Sequence, residues 1–208
     1  MKILEIKTLA LPEVKVIRFA RFLDNRGYFS ETFRQSDVEE NPELEFLKPH
    51  KFVQTNESFS KKHVVKGLHF QWDPPLGKLL RTINGHMVDM ILDIRKNSPT
   101  LGKIILYDLP SNPNQDFGEW IWLPPGVAHG SFFLQDSYNE YFFTANYNPK
   151  AEAGISPLTE DLDWSLCDKT LKAQFEELKQ GEILISNKDR QGLSFANWQN
   201  DERSNNFY

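Results

Sequence analysis

Short runs rich in β-branched and aromatic residues recur about every ten positions along the chain, each bounded by Pro, Gly, Asn or Asp. That rhythm predicts an all-β sandwich or barrel rather than alternating βαβ units. The expected strands are 14–20, 28–33, 51–56, 64–71, 78–83, 86–95, 103–109, 119–123, 130–134 and 140–147. Between the fifth and sixth of these stands Asn84-Gly85, the pair favoured by a two-residue type I′ turn, so a hairpin is expected there. In TLKAQFEELKQ, residues 170–180, Leu171, Phe175 and Leu178 fall at helical spacing before Gly181. They predict a short amphipathic helix lying over one end of the β core. The polar extension 191–208, ending FANWQNDERSNNFY, is expected to pack on the surface or on a neighbouring subunit.

At 208 residues, with 39% hydrophobic and 13% aromatic content, the chain is too apolar for disorder and reads as a single domain, 1–208. Its net charge is −5 with dispersed basic residues, which argues against a nucleic-acid binder but leaves room for a small anionic ligand. No apolar run reaches the roughly 18–20 residues of a membrane span. Glu5 and Lys7 interrupt the start before a signal-type core can form, so a soluble, cytoplasmic protein is expected. One cysteine, Cys167, excludes an internal disulfide framework and a Cys-based zinc site.

Alternation along strands sorts side chains by face. Phe52, Gln54 and Asn56 are expected on one face of their strand. In the run 64–71, Val65, Gly67, His69 and Gln71 share one face, and Lys66, Leu68 and Phe70 the other. Polar side chains turned into a barrel need partners, and a ligand is one source of them. From the residues alone, His69 is more often a hydrogen-bonded structural histidine than a catalytic one. Metal-binding barrels usually present His-x-His with further Glu and His ligands, whereas this chain reads Leu68-His69-Phe70-Gln71 with its other histidines scattered. No metal and no cofactor are expected.

The runs FLDNRGYFSETF (22–33), FVQTNESFSKKHVVKGLHFQ (52–71), GKLLRTINGHMVDMILDIRKNSPTLGK (77–103), WLPPGVAHG (122–130) and SNKD (186–189) together resemble the dTDP-4-dehydrorhamnose 3,5-epimerase family over about 15–190. The resemblance implies a cupin-like double-stranded β-helix, a jelly-roll barrel with a few short peripheral helices. It implies epimerisation of a nucleotide-activated 4-keto-6-deoxy sugar. Carried over position by position, His69 is the catalytic base, Asp189 the carboxylate that orients it, and Lys78 the cation beside the sugar's keto oxygen. Arg26, Glu31, Gln54, Asn56, Lys66 and His129 match positions that hold sugar and diphosphate, and Tyr141 and Phe143 lie on the strand that carries the family's acid. A homodimer is implied, with N-terminal strands added to the partner's sheet.

The chemistry suits these residue types. Removing a hydrogen α to a ketone needs a base that titrates near neutrality, as histidine does, and a cation to stabilise the enolate oxygen. Two departures stand out. Lys66 occupies the position where the family has Arg, and it differs in parity from His69, so both reach one ligand only if the strand bends near Gly67. Phe143 occupies the position of the family's Tyr acid, leaving Tyr141, about 7 Å along the strand, or water as donor. Alternatives are therefore an epimerase of one centre, C3 or C5, a keto-sugar isomerase, or a non-catalytic sugar-nucleotide-binding barrel.

Overall fold

The computed structural model describes residues 1–208 and contains twelve strands and four short α-helices. The strands are β1 Ile3–Thr8, β2 Lys15–Ala20, β3 Phe22–Asp24, β4 Gly27–Phe29, β5 Gln54–Ser60, β6 Val65–Gln71, β7 Lys78–Asp93, β8 Ile104–Ser111, β9 Phe117–Leu123, β10 Val127–Phe133, β11 Ser137–Phe143 and β12 Glu152–Ile155. The helices are α1 Gln35–Glu40, α2 Lys169–Gln180, α3 Asn187–Arg190 and α4 Phe195–Gln199.

Two antiparallel sheets face each other as a jelly roll, as expected. One runs β1-β2-β9-β7-β11-β5 through the first half of β7. The other runs β8-β7-β10-β6-β12 through its second half. β7 is thus common to both, and the expected hairpin at Asn84-Gly85 does not form. Gly85 alone has a positive φ, +104°, whereas a type I′ turn needs two such residues. The pair instead forms part of a bulge: Tyr138 faces Asn84 but Asn139 faces Thr82, so β7 carries one extra residue there.

That extra residue reverses the parity of β7. Before it the even-numbered Leu80 points into the barrel, and after it the odd-numbered Met87 and Ile91 do. Leu79 packs outward on one sheet and Val88, Met90 and Leu92 outward on the other. A second bulge lies in β6, where His129 faces His69 but Ser131 faces Lys66. It turns Val65, Leu68 and Phe70 outward together and brings Lys66 inward with His69, correcting the simple alternation and supplying the bend expected near Gly67.

Three apolar clusters hold the sheets. One fills half of the barrel interior with Leu80, Met87, Ile91, Ile121, Phe133 and neighbours. A second, around Trp120, Trp122, Leu44 and Leu47, covers the outer face of the first sheet. The third covers the second sheet with Phe175 of α2 and with Phe195, Trp198 and Phe207. The expected helix 170–180 is therefore present as α2, started by Asp168, whose side chain accepts from the N–H groups of Thr170 and Leu171. The C-terminal extension, expected to pack on the surface or on a neighbouring subunit, does more than that. Its aromatics are core, and Trp198 is fully buried. The expected strand 28–33 shrinks to β4, and 51–56 and 140–147 are displaced to β5 and β11.

Candidate active site

The other half of the barrel interior is a cavity of about 400 Å³ between β5 and β11 on one wall and β6, β10 and β12 on the other. Gln54, Asn56, Lys66, His69, Lys78, His129, Tyr141 and Phe143 line it together, as their sequence reading requires. Asp189 stands directly behind His69, its Oδ1 2.7 Å from the imidazole Nε2.

Backbone bridges put the carboxylate there. Leu184 bridges to Val64 and Leu193 to Ile155, so the segment carrying α3 is pinned at both ends against β6 and β12. Ser186 caps α3 by accepting the Asp189 N–H at 3.1 Å. Burial opposes ionisation of Asp189, but its bond to His69 and the donors of Gly67 and Ser186 prevail and lower its pKa. A carboxylate that stays charged holds the imidazole in one orientation through this bond.

Lys78, at the start of β7, donates from Nζ to the carbonyl oxygen of His69 at 3.1 Å. An ammonium has three N–H donors, so this bond leaves others for a ligand oxygen. Burial lowers the Lys78 pKa to about 8, with Asp89 and Glu152 acting against that trend. His129 on β10 places Nε2 2.6 Å from Oδ1 of the fully buried Asp89. Burial nevertheless lowers the His129 pKa. The site thus has one carboxylate-supported imidazole at the cavity surface, a second deeper in the wall, and a lysine between the two sheets.

Several contributors were not singled out in the sequence. Ser58 continues the inward parity of Gln54 and Asn56 and lines the cavity. Asp89 was visible as the only charge within the apolar run Met87–Leu92. Glu152 and Tyr147 had no local signal. Tyr147 Oη donates to Glu152 Oε2 at 3.0 Å and Lys188 Nζ does so at 2.8 Å. Gln71 acts as a strut, donating to the carbonyls of Pro74 and Asn146 and accepting the Asn148 N–H at 2.7 Å.

Arg26 and Glu31 do not join the cavity of their own chain. Arg26 lies at the turn between β3 and β4, with its side chain 85% exposed and paired with Asp24 at 2.6 Å. Glu31 is bound by Arg34 and lies 3.5 Å from the N-terminal amine. No group of three or more His, Cys, Asp or Glu side chains converges in a way that could hold a metal ion.

A family model described as dTDP-4-dehydrorhamnose 3,5-epimerase matches residues 8–197. The chain belongs to this family. Among relatives, the dTDP-4-dehydrorhamnose 3,5-epimerase of Shigella flexneri is 35% identical over 193 residues, 92% of this chain and 95% of that one. The enzyme of that name from Methanothermobacter thermautotrophicus is 38% identical, covering 81% and 82%. One from Neisseria gonorrhoeae is 38% identical over 72% of this chain but only 43% of its own length. Among solved structures, dTDP-6-deoxy-D-glucose-3,5-epimerase from Legionella pneumophila, in complex with dTDP-4-keto-L-rhamnose, superposes with a TM-score of 0.76. It is 30% identical, and the match covers 92% of this chain and 93% of that one. The cupin-like jelly roll of this epimerase family is therefore the fold of this chain. No helix is long and apolar enough to cross a membrane.

Proposed function

We propose that this chain is a cytoplasmic epimerase that acts on a dTDP-linked 4-keto-6-deoxy sugar without a metal or other cofactor. The observation that carries the reading is the His69–Asp189 pair, at 2.7 Å, in the same cavity as Lys78. His69 removes the proton α to the ketone. Lys78 stabilises the enolate oxygen as charge develops, the kind of contact whose loss typically costs about 3–4 kcal/mol of barrier. Reprotonation on the opposite face inverts the carbon. Gln54, Asn56 and His129 hold the sugar, and the charge of Lys66 serves the diphosphate. A sugar-nucleotide-binding barrel without chemistry is disfavoured, because binding alone has no use for a base supported by a buried carboxylate.

The reading extends to a homodimer. β1 pairs only with β2, which leaves an open sheet edge. The neighbouring β3–β4 hairpin exposes Phe22, Leu23, Tyr28 and Phe29. A second copy seated on this region would cover these side chains, and Arg26 and Glu31 would reach substrate only across that contact. Light scattering gives the mass directly.

The test of the catalytic reading is incubation with dTDP-4-dehydro-6-deoxyglucose in deuterated water, followed by NMR. Wild type is expected to exchange and invert. His69→Ala should lose about 10²–10⁴-fold in rate, with binding preserved within a few-fold. Asp189→Asn should be impaired less severely, since the imidazole remains. Wild-type exchange by His69→Ala would falsify the mechanism.

A further inference from the structure

Phe143 deprives the wall opposite His69 of a phenol at the position where the family resemblance expects one. A different phenol stands on that wall. Tyr141 is two residues away on β11, directly paired with Asn56 of β5 and Leu80 of β7. Its ring lies edge-on to His129, with centroids 6.2 Å apart. Its hydroxyl accepts from Ser58 Oγ at 3.4 Å, and Ser58 Oγ accepts from Lys66 Nζ at 3.3 Å. Lys66 belongs to the same strand as His69, so this series crosses from the sheet that carries the base to the sheet that faces it. All three residues line the cavity.

We propose that Lys66, Ser58 and Tyr141 form a proton relay in which Tyr141 is the acid that protonates the enolate carbon on the face turned away from His69. The proposal rests on the epimerase reading above and names its missing donor. As the new C–H bond forms, the Tyr141 O–H bond breaks. The phenolate then takes the Ser58 proton while Ser58 takes one from the Lys66 ammonium. The Lys66 amine recovers a proton from water at the cavity mouth, and His69 gives the proton it removed to solvent. No electron is transferred and every proton is accounted for.

Other features agree. Burial raises the Tyr141 pKa to about 12, so the donor is protonated at neutral pH. Burial lowers the Lys66 pKa, against the pull of Asp189, which eases release of its proton. The Lys66 ammonium lies 5.3 Å from the centre of the Phe133 ring, which supports the charge without accepting its proton. An arginine at position 66 would hold the same charge but could not give up a proton. The two departures noted in the sequence, lysine for arginine at 66 and phenylalanine for tyrosine at 143, thereby acquire one explanation. Moving the acid to Tyr141 requires a residue at 66 that can recharge it.

The experiment measures solvent exchange and inversion separately, at C3 and C5, with dTDP-4-dehydro-6-deoxyglucose in deuterated water. Tyr141→Phe should slow inversion by about 100-fold while exchange with retention, which needs His69 alone, changes by less than about 3-fold. Lys66→Arg should slow inversion at least about 10-fold with KM within a few-fold. Adding Phe143→Tyr to Tyr141→Phe should restore inversion, because the phenol returns to the same wall. A purely structural role would lower exchange and inversion together, and a constant ratio between them across these variants would overturn the relay. So would wild-type inversion by Tyr141→Phe. If Tyr141→Phe fails to fold, Ser58→Ala interrupts the same series and is judged by the same ratio. A wild-type protein that neither exchanges nor inverts would overturn the epimerase reading itself, and the relay with it.

Discussion

A Cβ on Gly154 would stand 2.8 Å from Cδ2 of His69. β12 therefore packs against the edge of the imidazole and leaves no space for a side chain between them, although neither Gly154 nor its strand supplies a reacting group. Gly154→Ala should push the ring off its line toward the substrate. A misplacement of this kind costs up to about 10²-fold in rate. Steady-state kinetics should show the loss in kcat, with KM and thermal stability changing little.

Lys78 makes activity and stability respond oppositely to one substitution. Its pKa of about 8 means that the stabilising ammonium is present below pH 8 and disappears above it, so kcat should fall as pH rises through that value. Lys78→Met should slow turnover by about 10²–10³-fold yet raise stability by roughly 1–3 kcal/mol, the scale of relieving a buried polar group of poor solvation. Because the folded-state pKa lies below the ordinary 10.5, the unfolded chain binds the extra proton between the two values. The stability advantage of the variant should be greatest below pH 8 and vanish above pH 10.5. Denaturant titrations across this range check both signs.

Phe143 and Tyr141 are offset along β11 by about 7 Å, so a single phenol cannot stand equally well beside both carbons flanking the ketone. One centre should invert faster than the other in the natural protein. Phe143→Tyr should accelerate the slower one. Deuterium counting at C3 and C5 distinguishes this from equal, rapid inversion, which would show that the offset imposes no limit.

Trp198 is buried in the cluster on the outer face of the second sheet, between Phe70, at a ring distance of 4.4 Å, and Phe207. Trp198→Ala should cost about 3–5 kcal/mol, the usual range for deleting a large buried aromatic. Its indole N–H has no hydrogen-bond partner, so Trp198→Phe should be far milder. Equilibrium unfolding of the two variants measures the difference.

The strands and the residues that line the cavity were largely legible, because β patterning and inward polar side chains are local signals. Gln54, Asn56 and His69 announced themselves in this way, whereas Lys78 was singled out only by the resemblance to a family. What escaped depends on distant chain. Asn84-Gly85 carries a hairpin signal that the pairing of β7 with four other strands overrides. The tail looked polar because its few aromatics, Trp198 and Phe207 above all, are spread among Asn, Asp and Ser, and only their common docking makes them core. Glu152 and Tyr147 depend on a loop held by Gln71, from another strand. Asp189, an ordinary turn residue by sequence, becomes significant only when β6 and β12 pin it behind His69. The resemblance to a family supplied that pairing before any geometry did.

The extra residue in β7 also makes the length of this strand as constrained as its chemistry. Deleting Ile83 would let the two halves run in one unbroken alternation, and one half would exchange its inner and outer side chains. Asp89 would leave His129 and turn toward the apolar cluster outside, while Met90 entered the barrel. Substitutions can accumulate along β7 one side chain at a time, but a single-codon loss at its centre would invert half of it at once. Among related chains, the spacing between Lys78 and Asp89 should therefore be preserved more strictly than the identity of the residues between them.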